Sequence, residues 1–209
     1  MKGVFITFEG TEGGGKSTQI KLLAARLQST GRKIRLLREP GGTPIGEEIR
    51  HTLKHSEANH AMTPEAELLL MNASRAQLVR EVIRPALAGD EIVICDRFYD
   101  STIAYQGFGR QLDLDLVKSV IDIAVGPTRP HLTFLLQIPI EVSEARRASR
   151  GSTERDRFEE ADREFFRRVE RGYKAIANAE PRRVWAVDAT WSIEAVAIAV
   201  WRIVEPHVR

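Results

Sequence analysis

Gly10-Thr11-Glu12-Gly13-Gly14-Gly15-Lys16-Ser17 follows the pattern G-x-x-x-x-G-K-[ST], in which each residue type has a physical task. Glycines let successive backbone N–H groups turn onto phosphate oxygens, Lys16 brings a positive charge to the β- and γ-phosphates, and the Ser17 hydroxyl can ligate Mg²⁺. The apolar run Val4-Phe5-Ile6-Thr7-Phe8 leads into the loop and a helical pattern follows it, so a helix N-terminus adds its dipole to the anion site. The stretch from Gly10 to Thr18 is therefore expected to hold a nucleoside triphosphate. Glu12 is the misfit. A carboxylate in an anion cradle is costly unless it points away from the phosphates or toward a cation.

Other charged groups lie where a second ligand could meet the loop. Arg38-Glu39-Pro40-Gly41-Gly42 and Asp96-Arg97-Phe98 each follow a strand-like run, and ligands of parallel sheets collect outside the carboxyl ends of the strands. Farther along, Arg146, Arg147, Arg150, Arg155 and Arg157 cluster around Gly151, Ser152 and Thr153 between two helical patterns. His51, His55, His60, His131 and His207 are scattered without ligand spacing, and Cys95 reads as a small core residue at a strand end.

The elements that must position these groups alternate along the chain. Short β-branched runs at 4–8, 33–37, 91–95, 132–137 and 183–187 read as strands, separated by helical patterns at 17–30, 45–54, 64–87, 114–125, 140–148, 159–179 and 193–204. Repeated βα units of this kind imply a parallel sheet covered by helices. Pro64 after Thr63 marks a helix start, Gly31 and Gly89 mark helix ends, and Trp185, Trp191 and Trp201 are expected to anchor the last strand and helix. With 209 residues the chain fits one domain spanning 1–209. Its 31 Lys+Arg against 29 Asp+Glu leave a net charge of +2, which calls for neither a nucleic-acid nor a membrane partner. One cysteine excludes an internal disulfide framework, no stretch suits a membrane span, and no signal peptide is evident, so the expected compartment is the cytoplasm.

The order and spacing of Phe8-Glu9-Gly10, Arg38-Glu39-Pro40-Gly41-Gly42-Thr43, Asp96-Arg97-Phe98, Asp100-Ser101-Thr102, Ala104-Tyr105-Gln106-Gly107 and Asp156-Arg157-Phe158-Glu159 resemble bacterial thymidylate kinase, a nucleoside monophosphate kinase. The resemblance runs almost end to end. It implies an α/β P-loop kinase fold: a five-stranded parallel sheet with helices on both faces and an arginine-rich lid at about 146–158. The implied reaction moves the γ-phosphoryl group of ATP, with Mg²⁺, to thymidine 5′-monophosphate. Two anions must be brought together for that, so the site needs several cations and a metal while excluding water.

The resemblance also implies roles. Lys16 and Arg97 are catalytic, with Arg97 touching the acceptor phosphate and the transferring group; an ion pair of Arg97 with Asp96 is the structural alternative. Asp96 supports the metal beside Ser17, directly or through water. Glu9, Glu39, Arg50, Met71, Arg75, Thr102, Tyr105 and Gln106 contact the acceptor. Glu39 and Arg50 form a pair near its phosphate and sugar, Arg75 bonds a base carbonyl, and Tyr105 crowds the sugar. Met71 departs from the family pattern, where an aromatic ring commonly stacks on thymine, and a core methionine is the alternative. With no basic residue inside the loop, the missing cation is expected from the lid, Arg150 or Arg157 first. Relatives are homodimers, and the apolar stripe at 64–87 is compatible with a helix-face interface or with a buried core helix.

Competing classes fit less well. A kinase of another deoxynucleotide or nucleoside stays open through Met71. A GTPase switch lacks an Asn-Lys-x-Asp guanine motif, and a nucleic-acid ATPase lacks both a basic surface and an apolar run ending in Asp-Glu.

Overall fold

A computed structural model describes residues 3–149, apart from the Arg147 side chain, and residues 162–208. Five strands, β1 (Val4–Glu9), β2 (Ile34–Arg38), β3 (Ile92–Asp96), β4 (Leu132–Gln137) and β5 (Val184–Asp188), form one sheet in the order β2-β3-β1-β4-β5. Every neighbouring pair is parallel. All six residues of β1 are buried, as a central strand covered on both faces requires. Only the β4 bounds match the sequence expectation. The other strands reach one residue farther toward their C-termini, because backbone pairing carries through Arg38, Asp96 and Asp188 even though charged side chains there leave the core.

That register builds the site. Phe8 and Arg38 both pair with Asp96, and the bonding continues from Arg97 N–H to Phe8 O and from Glu39 N–H to Asp96 O. Glu9, Glu39 and Arg97, far apart in sequence, therefore leave three adjacent strands at one level.

Alternating residues of β1 feed different helical layers. Ile6 and Phe8 pack against Ile20, Leu23 and Leu27 of α1 (Lys16–Gln28) and Val196, Val200 and Val204 of α9 (Ile193–Val208). Phe5 faces Leu78 of α3 (Pro64–Leu78) and Val117 and Ile121 of α6 (Leu114–Val125). Leu135 and Val184 pack on Phe166, Val169 and Tyr173 of α8 (Arg163–Ala179). Thr43 caps α2 (Pro44–Lys54), accepting from Gly46 N–H, and Thr63 caps α3, accepting from Ala66 N–H.

Several expectations need correction. The stretch expected as one helix at 64–87 is α3, a wide π-type turn (Val79–Ile83) and α4 (Arg84–Ala88). Pro85 has no N–H for the carbonyl four residues back, which loosens the preceding turn. Gly89 does cap the end of α4 as expected, with φ of −86°, and the left-handed residue that follows is Asp90, at φ 60°. A helical stretch escaped sequence reading altogether: α5 (Tyr99–Thr102) runs into a π-type turn (Ile103–Gly109). Its buried face carries Asp100, Thr102 and Gln106, so no apolar period announces it. Trp185 is 38% and Trp191 53% exposed; of the three tryptophans only Trp201 packs on the core, with the Arg26 guanidinium 4.0 Å from its ring centroid. The expected helix start at 159–161 lies outside the described residues. Among the described residues no helix is long and apolar enough to cross a membrane. A short helix, α7 (Ile140–Ala148), follows β4 as expected.

Candidate active site

The loop closes tightly over the end of β1. A Cβ on Gly10 would lie 2.4 Å from Leu136 O, and Gly10 has φ of +127°, so only glycine fits there. Lys16 is buried, and its Nζ donates to the carbonyls of Gly10 and Thr11 at 3.0 Å each. Burial, and then Arg97 nearby, pull the Lys16 pKa down to about 8, while Glu12, Asp96 and Glu9 oppose the shift. Ser17 Oγ donates to Asp96 Oδ2 at 3.3 Å. A hydroxyl beside a carboxylate is a donor set that suits a hard divalent cation. Thr18 is exposed next to it, and both line the cleft in front of the loop.

Arg97 ties this cleft to the next. Its φ of 69° is uncommon for a residue with a side chain, and aims the guanidinium back across β1. Nη1 donates to Gly10 O at 3.0 Å, Ser101 Oγ at 3.1 Å and Tyr173 OH at 3.2 Å; Nη2 donates to Glu12 Oε1 at 2.6 Å. The ion pair is with Glu12, not with Asp96 as the strand-end alternative had it. Asp96 is taken up by Ser17. The Arg97 guanidinium, ahead of Lys16, holds the Glu12 carboxyl well below the usual carboxylate range.

Beneath Arg97 lies Glu9, fully buried. It accepts from Phe98 N–H at 2.7 Å, Ser101 Oγ at 2.5 Å and Tyr173 OH at 3.1 Å. Burial, reinforced by the Asp100 carboxylate, raises its pKa to about 7. Asp100 is held in turn by Arg183, whose Nη1 and Nη2 lie 2.7 and 2.8 Å from its two oxygens.

Arg75 is 2% exposed, and every one of its guanidinium nitrogens has a partner. Nε donates to Glu39 Oε2 at 2.8 Å, Nη1 to Asn72 Oδ1 at 2.8 Å and Thr102 Oγ1 at 3.0 Å, and Nη2 to Phe98 O at 3.2 Å. Glu39 therefore pairs with Arg75. Arg50 donates to Pro40 O at 2.9 Å, and with Glu39 it faces the cleft of the phosphate loop.

An apolar-walled cavity opens beside this cluster. Met71, Arg75, Thr102, Tyr105 and Gln106 line it together, and Glu39 and Arg97 reach it from the other side. Met71 also packs on the α8 core cluster, so it is both wall and core. The Arg97 guanidinium carbon lies 5.3 Å from the centre of the Tyr105 ring. Phe166, Lys54, Ser101 and Tyr173 also belong to the two clefts or their supports; sequence reading gave none of them a role. For Phe166 and Tyr173 the only signal was an apolar stripe on α8, which reads as core.

Of the lid arginines, Arg146 is described: it donates to Gly13 O at 3.0 Å and to Ala189 O at 3.3 Å, bridging the phosphate loop to the β5–α9 connection. Arg150, Arg155, Arg157 and the Arg147 side chain lie outside the described residues.

A parallel sheet in this order, with a lysine-bearing glycine loop at the end of its central strand and a cavity adjoining that loop, defines a P-loop kinase. A thymidylate kinase family model matches residues 8–200, and the chain belongs to that family. Its enzyme class is accordingly that of the nucleoside monophosphate kinases. It is 47% identical over 201 residues to a thymidylate kinase of Syntrophotalea carbinolica, covering 94% of this chain and 93% of that one. With one from Thermomicrobium roseum the identity is 50% over 200 residues, covering 96% and 93%. The crystal structure of thymidylate kinase from Ehrlichia chaffeensis superposes with a TM-score of 0.78 at 32% identity, covering 98% of this chain and 99% of that chain.

Proposed function

We propose that this enzyme transfers the γ-phosphoryl group of ATP to thymidine 5′-monophosphate, giving thymidine diphosphate and ADP. The observation that carries the reading is the span of Arg97, which bonds Gly10 O and Glu12 in the phosphate loop while lining the Met71–Arg75 cavity. A cation with one end in each cleft is what two mutually repelling phosphates require.

In this reading ATP lies along Gly10, Thr11, Glu12, Gly13, Gly14, Gly15, Lys16, Ser17 and Thr18. Lys16 faces the β- and γ-phosphates. Ser17 and Asp96 would hold Mg²⁺, which when bound draws charge off the transferring oxygens. Among the described residues no cluster of three acidic, histidine or cysteine groups exists, so such a metal would take its remaining ligands from phosphate and water. The thymidylate base enters the cavity of Met71, Arg75, Thr102, Tyr105 and Gln106, while Glu39 and Arg50 stand around its sugar and phosphate; Glu9, expected there too, is buried beneath Arg97 and lines neither cleft. No covalent intermediate is needed; alignment and charge stabilisation drive the transfer. The chain acts as one domain whose lid, about 146–158, closes to exclude water and brings Arg150 or Arg157 to the γ-phosphate.

The enzyme works in the cytoplasm as a homodimer. Leu69 on α3 is 59% exposed and Ile123 on α6 is 77% exposed, and α3 packs against α6. A second copy covering those helices would bury both side chains. A panel of nucleoside and nucleotide acceptors with ADP release as the readout tests the activity; no preference for thymidylate refutes it.

A further inference from the structure

Glu67, on α3, is completely buried and has no part in the reaction above. Its Oε1 accepts from Gln106 Nε2 at 2.6 Å, and its Oε2 accepts from Arg110 Nη2 at 3.1 Å. Withdrawing a carboxylate from water is costly, and Arg110, itself stacked 4.8 Å from the Phe165 ring centre, offsets the cost. Gln106 is 1% exposed and lines the acceptor cavity.

We propose that Glu67 is a positioning residue for base selection, fixing the Gln106 amide so that its Oε1 is offered to the edge of the bound pyrimidine. The proposal rests on the acceptor reading given above. A carboxylate only accepts, so the nitrogen end of the amide must face Glu67. Turning the amide over would set two oxygens against each other in a buried place. Thr102 Oγ1 accepts from Arg75 Nη1 and keeps a second lone pair as well as its proton, so it meets either kind of base edge and leaves the choice to Gln106. A pyrimidine with a carbonyl at position 4 carries an acceptor there and a donor at N3, whereas a 4-amino pyrimidine reverses both. An accepting Gln106 matches the first and opposes the second. A buried charged residue, Glu67, thus sets the polarity of the neutral amide in front of it.

The test compares thymidine 5′-monophosphate with 5-methyl-2′-deoxycytidine 5′-monophosphate, which share the methyl group and sugar and differ only at position 4 and N3. The readout is the ratio of their kcat/KM values, which does not depend on the fraction of enzyme folded. In Glu67→Gln the facing amide can donate or accept, and in Glu67→Leu with Arg110→Leu an apolar pair replaces the ion pair. In both, the ratio is expected to fall by about tenfold or more, chiefly through KM for thymidylate, as expected when a buried hydrogen-bond polarity is lost. In a Gln106→Met background, Glu67→Gln should leave the ratio unchanged. A ratio within about twofold of wild type in both Glu67 variants overturns the proposal. A wild-type enzyme with no preference between the two nucleotides removes the acceptor reading itself. If neither variant folds, a crystal structure of wild type with thymidylate decides. Gln106 is expected at about 2.9 Å from N3, and a separation beyond about 3.5 Å overturns the proposal.

Discussion

The Arg97 guanidinium sits 2.6 Å from the Glu12 carboxylate, so the acidic residue of the phosphate loop serves as an anchor for the cation of the neighbouring strand. This resolves why a carboxylate is tolerated in an anion cradle: its charge is spent on Arg97, which also bonds Gly10 O of the same loop. The pair fixes the direction of a side chain that reaches both clefts.

Replacing Arg97 should therefore damage both the rate and the stability near neutral pH. For Arg97→Met we expect kcat to fall by about 10³-fold or more, the scale of a lost transition-state arginine. The paired Glu12 carboxyl titrates below its ordinary range, so its contribution is fully present above the ordinary carboxylate pKa, about 4.3, and is lost as pH falls below that. The stability gap between wild type and variant, measured by urea unfolding, should narrow from pH 6 to pH 3. Parallel curves would mean that Glu12 gains nothing from Arg97.

Glu9 has the opposite sign. Burial and Asp100 raise its pKa to about 7, so the fold favours the protonated acid. The associated stability is present below the ordinary carboxylate pKa and is lost as pH rises toward 7. Glu9→Gln, neutral at every pH, should flatten the fall in unfolding free energy between pH 5 and pH 7. An unchanged slope would show that Glu9 is ionised throughout that range.

How much of this site can be read from sequence depends on the distance over which each residue acts. Gly10 through Ser17 is legible because its chemistry is local: eight consecutive residues make the cradle. Glu12 is half legible. Its misfit demands a cation, but nothing in the sequence says that the cation lies on β3 and not in the lid. Tyr173 is illegible, since its bond to Glu9 spans 164 residues and its place on α8 looks like ordinary core. Glu67 and Gln106 meet across 39 residues through the π-type turn after α5, an element that polar inward-facing residues conceal. The ends of β2, β3 and β5 are obscured for a related reason: the charged side chains of Arg38, Asp96 and Asp188 leave the core while backbone pairing continues through them.

Met71 and Phe166 share the cavity beside Arg75, one apolar and flexible, the other a ring from α8. An added ring at position 71 should stack on thymine. We expect Met71→Phe to tighten thymidylate binding by about threefold to tenfold, the range of an aromatic pair beyond area burial. Titration calorimetry measures it. Unaltered affinity with a shifted Tm would assign Met71 to packing alone.

Lys16 gives a prediction that needs no turnover. With its pKa lowered to about 8, the ammonium is half deprotonated at pH 8 in the free enzyme. Phosphates of a bound nucleotide favour the charged form, so binding must draw a proton from solution. Uptake should be near zero at pH 7, about half a proton at pH 8, and nearly one at pH 9, where the free amine predominates. Calorimetric titration with a non-hydrolysable ATP analogue, repeated in two buffers of different ionisation heat, counts these protons. Lys16→Met should abolish the uptake along with phosphoryl transfer, and the loop glycines should still admit the nucleotide with reduced affinity. Equal uptake in wild type and variant would place the proton on another group and leave Lys16 charged at all three pH values.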